Sequence, residues 1–194
     1  MMDANQGDYD PYSKAILGWT NPIVVSGNDC TAQIRSFAET GDMIIISKSN
    51  GGTYFEEYYI IALYTPTGVN EFKKEYNCGL PNKSGIMVWH VNATLKALED
   101  FEEDDFYMVT DITRYNNGGA DYKLLNLTCA DEANEIDTSN DYFVSDKDLF
   151  KASDVINDLK WYDGTDLCVT ITIGEFILHG EIEQTQVTIE YQPK

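Results

Sequence analysis

The feature that most constrains this chain is a strict alternation near its end. In Leu167-Cys168-Val169-Thr170-Ile171-Thr172-Ile173 the residues Leu, Val, Ile and Ile face one way, and Cys, Thr and Thr the other. Val187, Ile189 and Tyr191 repeat the pattern after Phe176-Ile177-Leu178. A period of two buries one face of a strand and leaves the other wet, which is the material of an antiparallel sandwich. Other segments are equally strand-like but carry no wet face. Met43-Ile44-Ile45-Ile46, Tyr54 to Tyr64 and Ile86 to Val91 are dense in β-branched and aromatic residues. Asn50-Gly51-Gly52 between the first two predicts a hairpin turn, and Lys123 to Thr128 is a shorter strand candidate. The fold expected is therefore mainly β, an antiparallel β-sandwich led by a short N-terminal helix.

That helix has a defined start. Asp10 before Pro11 reads as an N-cap with proline in the first turn. Tyr12, Ala15, Ile16 and Trp19 then share one face at helical spacing, and Gly18 and Pro22 end the run. Two stretches read as solvated excursions: Leu98 to Asp105, with six carboxylates, and the polar, acidic Ala130 to Asp148. Internal repeats and Pro/Gly/Ser linkers are absent, so one compact unit is the economical division.

Charge narrows the partners. Thirteen Lys and Arg against thirty-three Asp and Glu give a formal charge of −20, which repels phosphate backbones and anionic membranes. Nucleic acid is not an expected partner. No run approaches the ~18 apolar residues of a membrane span, and the opening residues do not read as a signal peptide. Cys30, Cys78, Cys129 and Cys168 contain no C-x-x-C pair, which argues against a zinc ribbon. Two disulfides and four free thiols both remain open.

Catalytic constellations are equally sparse. A zinc hydrolase needs about three side-chain ligands and a base. The only histidines, His90 and His179, lie in strand-like segments, and H-E-x-x-H does not occur. G-x-S-x-G is missing too, and Ser84-Gly85 reads as a turn before a strand. Calcium is the one ion that the composition favours. Asp163 and Asp166 flank a glycine turn and are its candidate ligands, outside EF-hand spacing. No catalytic or metal-ligating set is assigned to this chain.

Particular strings go further. Met1-Met2-Asp3, then Gly7-Asp8-Tyr9-Asp10-Pro11-Tyr12-Ser13-Lys14 and Leu17-Gly18-Trp19, resemble the stretch after the zinc-binding helix in immune-inhibitor-A-type secreted metallopeptidases. Gly85-Ile86-Met87-Val88-Trp89-His90-Val91-Asn92 resembles that family's G-x-L-I-W-H-[IV]-D strand. Glu57-Tyr58-Tyr59-Ile60-Ile61 and Thr65-Pro66-Thr67-Gly68-Val69-Asn70 are similar to the strand and loop before it. Lys123-Leu124-Leu125 and Trp161-Tyr162-Asp163-Gly164-Thr165 look like the closing β region.

The resemblance implies that residues 1–20 are the tail of a catalytic domain and 21–194 a β-sandwich domain packed after it. Met1 and Met2 would be the Met-turn under the metal site, with Asp8 and Tyr9 near the cleft. The family's zinc helix lies upstream of that turn, so zinc belongs to the intact family protein and no ligand carries over to this chain. The parent protein is expected to be secreted or at the cell surface, and its catalytic domain is the implied partner. Without that domain, Trp19 is expected to bury itself on the sandwich. Met1 to Tyr9, which lose their support, are expected to be mobile or held by a neighbouring molecule, and leftover apolar surface favours self-association. The rival reading is a stand-alone extracellular module that binds glycan or protein through exposed Tyr and Trp.

Overall fold

The computed structural model describes residues 7–49, 53–72, 80–97, 106–108, 123–131 and 144–192. Helix α1 (Pro11–Ile16) leads into β1 (Asn21–Val25) and β2 (Cys30–Arg35), and a single helical turn, α2 (Phe37–Thr40), precedes β3 (Asp42–Ser47). Then follow β4 (Glu57–Tyr64), a 3₁₀ turn (Gly68–Phe72), β5 (Gly85–Asn92), β6 (Leu95–Ala97), β7 (Phe106–Met108) and β8 (Leu125–Thr128). The chain closes with β9 (Val155–Ile156), β10 (Val169–Ile173), β11 (Ile177–His179) and β12 (Ile182–Tyr191).

Two five-stranded sheets result, with β6 and β7 as a separate pair. Sheet A has the order β1-β3-β4-β5-β8. In sheet B the long β12 is central, with β2 along one edge, β10 and β11 along the other, and β9 beyond β10. The inner faces meet in one apolar cluster: Ile44, Ile46, Ile61, Leu63 and Val88 from sheet A against Ile34, Val169, Ile171, Val187 and Ile189 from sheet B. The mainly β, sandwich-like architecture is the one expected, and the three strands expected most firmly fall in β4, β5 and β10.

The two strand textures sort the sheets. Sheet B is wet on its outer face, and β10 alternates buried with half-buried residues along its whole length. Sheet A is covered on both faces, so every residue of β3 and β4 is buried. Its second face packs Met43, Ile45, Tyr58, Ile60, Ala62 and Val91 under Tyr12 and Ala15 of α1 and Phe37 of α2.

Four expectations need correcting. The pairing is not wholly antiparallel, because β1 and β3 run parallel. The chain crosses from β1 to sheet B as β2 and returns through α2. The alternation at residue 167 does not start the strand either. Cys168 adopts a left-handed φ of 56°, so β10 begins at Val169. Trp19 is not buried but 57% exposed. Asp10 caps the helix as expected, accepting from the Ser13 N–H at 2.8 Å. The helix, however, ends at Ile16 and Gly18 turns left-handed at φ +72°. The helical period thus never reaches Trp19, whose ring instead meets Tyr9 edge-on at 6.0 Å. Finally, Gly7 to Tyr9 are tied down. The Asp8 N–H donates to Asn70 Oδ1 at 2.9 Å, and Lys14 Nζ reaches Asp8 Oδ2 at 2.6 Å. The expected Asn50–Gly52 turn lies outside the described residues, as do Leu98–Asp105 and most of Ala130–Asp148.

Burial sets the scale of the first test. Ile60 is fully buried between sheet A and the helices, and Leu178 on β11 is 70% exposed. Ile60→Ala is expected to cost ~2–5 kcal/mol in urea denaturation and Leu178→Ala less than about 0.5. Equal losses would contradict a sheet covered on both sides.

Candidate functional site

Polar chemistry concentrates at one end of the sheet A inner face. Side chains two apart on a strand share a face, so Glu57 and Tyr59 on β4 point the same way as Ile61. Register sets His90 of β5 directly beside Tyr59. Lys48 follows β3 on the same side. A charged residue heading an otherwise apolar strand, on its buried face, must find partners.

Glu57 finds three. His90 Nε2 lies 2.9 Å from Oε1, the Tyr162 backbone N–H donates to Oε1 at 2.6 Å, and Lys48 Nζ donates to Oε2 at 2.8 Å. Lys48 also donates to Asp163 Oδ2 at 2.9 Å and stands 5.2 Å from the Trp161 ring centroid. The imidazole of His90 is stacked between Tyr59, with centroids at 4.3 Å, and Tyr162, at 4.1 Å. The Tyr59 hydroxyl lies 3.2 Å from His90 Nδ1 and donates to the Lys160 carbonyl at 2.5 Å. Both ring nitrogens of His90 thus face an oxygen. Tyr162 completes the enclosure by donating from its hydroxyl to the Lys123 carbonyl at 2.9 Å.

Burial pushes the Glu57 carboxyl up, but the hydrogen bonds from His90, Lys48 and Tyr162 outweigh it and hold the group below its ordinary value. For Lys48, burial pulls down while Glu57 and Asp163 raise it further, and the net shift is upward. Burial, with the Glu57 charge nearby, pushes Tyr162 up to about 12. The cluster is a charge-paired clamp joining β3, β4, β5 and the turn at 161–165. Both nitrogens and both faces of His90 are occupied.

Beside the clamp an open groove of about 1090 Å³ lies where β1, β3 and β12 end and β10 begins. Ser26, Ser47, Lys48, Trp161, Cys168 and Tyr191 are among its lining.

The residues singled out from sequence are dispersed. Met1 and Met2 lie outside the described residues. Asp8 and Tyr9 sit at the far side of sheet A, where Asp8 anchors Lys14. Burial raises the Asp8 carboxyl despite that partner. Asp163 is committed to Lys48 and, through Oδ1, to the Thr165 N–H at 2.9 Å and hydroxyl at 2.5 Å. The Thr165 and Lys48 bonds hold it well below the usual carboxylate range. Asp166 faces Lys160 at 3.7 Å. Among the described residues no three His, Cys, Asp or Glu side chains gather as a metal would require. His179 is exposed on β11. Cys30 and Cys168 are free thiols, Cys129 is buried, and Cys78 lies outside the described residues. Sequence reasoning missed Glu57, Lys48, Tyr59 and Tyr162 as a unit. The signal was an acid, Glu57, at the head of a buried strand.

No protein-family model, curated protein or solved structure matches the chain.

A carboxylate with a lowered value stabilises the fold fully above its unfolded value and ceases to do so as pH falls through the folded one. Glu57 therefore contributes its full share above about pH 4.5 and loses it on further acidification. The raised Asp8 carboxyl acts with the opposite sign. Glu57→Gln is expected to cost ~2–4 kcal/mol near neutral pH, because Lys48 loses its counter-charge. The gap to wild type should narrow below pH 4 in denaturation profiles. A gap independent of pH would rule out the charged clamp.

Proposed function

We propose that this chain is a non-catalytic β domain of a secreted zinc metallopeptidase of the immune-inhibitor-A type, inactive alone and built to dock on its catalytic domain. The observation that carries the reading is apolar surface left on one layer. Ile16 is 46% exposed, Leu17 51%, Trp19 57% and Val24 54%. Val24 pairs with Ile45, whose side chain belongs to the helix-covered face, so Val24 and α1 lie on the same side of sheet A. Paired strand residues point alike, and a row of large apolar groups on one layer marks an interaction surface. The resemblance of residues 7–19 to the stretch after the zinc-binding helix in that family supports docking of the same layer on the peptidase body.

The strings that carry the resemblance have roles consistent with a scaffold. Trp89 packs on the helix-side cluster, His90 is locked in the clamp, and the Lys123 and Trp161 strings meet through the Tyr162 hydroxyl. Zinc would belong to the catalytic domain.

The purified chain is expected to hold no stoichiometric zinc and to leave casein intact, measured by elemental analysis and digestion. Mixed with a catalytic domain of the family, it should form a complex by gel filtration. Trp19→Ala and Leu17→Ser should weaken that complex while shifting the thermal midpoint of the free chain little. An in-frame H-E-x-x-H upstream in the gene would add support. Chelator-sensitive proteolysis that tracks the pure protein would overturn the reading.

A further inference from the structure

The turn at 161–165 has a fixed base and a separately held tip. At the base, Leu159 and Leu167 are each 6% exposed, and the Leu167 N–H donates to the Leu159 carbonyl at 2.9 Å. Lys160 and Asp166 form a bridge just above that pair, and the Trp161 ring rests against the core beside it. The bonds inside the turn, Trp161 N–H to the Thr165 carbonyl and Gly164 N–H to the Trp161 carbonyl, keep its shape without tying it to the sheet. The tip is at the surface, with Asp163, Gly164 and Thr165 all exposed.

The charged ties that hold the tip down converge on one group. Glu57 Oε1 accepts the Tyr162 N–H at 2.6 Å, and Oε2 accepts from Lys48, whose second bond holds Asp163 at 2.9 Å. Both carboxylate oxygens thus face a group that can only donate, an amide N–H at one and an ammonium at the other. A proton added to either oxygen is set against such a donor. The other titratable groups facing Glu57 are His90 on β5, Tyr59 on its own strand, and Tyr162 and Asp163 in the turn. A proton that passes to His90 Nε2 leaves the carboxylate charged and the tie intact, and the two tyrosines stay uncharged in acid. The remaining holds on Tyr162 are a neutral bond from its hydroxyl to the Lys123 carbonyl and its stack on His90. Neutral bonds of that kind are weaker than charge-assisted ones.

We propose that the tip of this turn is an acid-released flap over the buried end of sheet A, latched by ionised Glu57 and freed when Glu57 takes up a proton. Release lifts the Tyr162 ring from His90, which is 6% exposed beneath it, and withdraws Gly164 and Thr165 from the groove wall. The base and the two sheets stay in place, because neither is held by that carboxylate. A carboxyl held below its ordinary value keeps the latch fully closed above about pH 4.5 and lets go as the pH falls further. The flap operates whether or not a catalytic domain accompanies the chain.

The test is amide hydrogen exchange on the full ¹⁵N-labelled chain from pH 6 down to pH 3, with each rate corrected for the intrinsic pH dependence of exchange. The Tyr162 amide reports the latch, Leu167 the base and Ile171 the core. Tyr162 is expected to lose protection about tenfold for each pH unit below the point at which Glu57 protonates, while Leu167 and Ile171 keep theirs. Glu57→Gln should show the low Tyr162 protection already at pH 6 and no step on acidification. Asp163→Asn, at an exposed position, removes only the Lys48 branch. It should lower Tyr162 protection about two- to fivefold, as loss of one exposed ion pair would, with little change in thermal midpoint. If Glu57→Gln does not fold, the wild-type profile and Asp163→Asn decide by themselves. The proposal falls if Tyr162 stays protected to pH 3 in a folded chain, or if Asp163→Asn leaves it as protected as in wild type. It also falls if Tyr162 loses protection only together with Leu167 and Ile171, which would mean that acid unfolds the domain as a whole.

Discussion

The central strands of one sheet have no wet face, and the rest of the structure depends on that. Sheet A is roofed on one side by sheet B and on the other by α1 and α2, so its central strands have no solvent to which a polar side chain can turn. Burial of that kind is non-directional and large, ~1.5–3 kcal/mol for each big apolar side chain. It fixes where polar groups can stand, which is the ends of strands, and there they must satisfy one another. Glu57, Lys48, Tyr59 and His90 stand at such an end. Their mutual saturation follows from that placement, since an unpaired member would carry the full penalty of a buried polar group.

Scarcity of positive charge makes this end more consequential. With thirteen cations for thirty-three acids, most carboxylates can only face water, and the cations that are placed inside act as ties. Lys14 holds Asp8 while resting 4.5 Å from the Phe37 ring centroid, which joins the segment before α1 to the helix layer. Arg35 grips Asp42 with two bonds, at 2.7 and 3.1 Å, where the chain passes from sheet B back to sheet A. Lys48 ties a third place, between β4 and the 161–165 turn. Each tie spans a junction that apolar packing alone leaves loose. Exposed pairs contribute little, so Lys14–Asp8 and Lys48–Glu57, with their half-hidden partners, matter more than Lys160–Asp166 at the surface.

Much of the fold was legible because the two strand textures are written in different alphabets. Thr170 and Thr172 between Val169, Ile171 and Ile173 announce a strand with one wet side. The unbroken Tyr58 to Leu63 announces one with none. What was not legible has physical reasons. Strand β1 contains Pro22, which normally argues against a strand, yet β1 is an edge, where proline's missing N–H costs no ladder bond. Strand β2 alternates Ala32 and Ile34 with Thr31, Gln33 and Arg35, too few large apolar residues to stand out. The parallel pairing of β1 and β3 depends on the crossover through sheet B, a long-range event that no local pattern encodes. Trp19 was misplaced because a helical spacing of seven residues was extended through Gly18. The clamp was hidden for a related reason, in that Glu57 and His90 are thirty-three residues apart and only strand register brings them together.

The clamp and the groove share a wall. Trp161, Gly164 and Thr165 line the groove, while the residues between them, Tyr162 and Asp163, are held from behind by Glu57 and Lys48. If Glu57 is neutralised, it loses the charge that anchors both the Tyr162 N–H and Lys48, and Lys48 in turn loosens its hold on Asp163. Nothing in the groove itself needs to titrate for its wall to relax. A surface turn would ordinarily be among the least stable parts of a domain. Here it is stiffened by ionic bonds that reach into the buried end of sheet A, so its rigidity depends on a carboxylate that stands behind it.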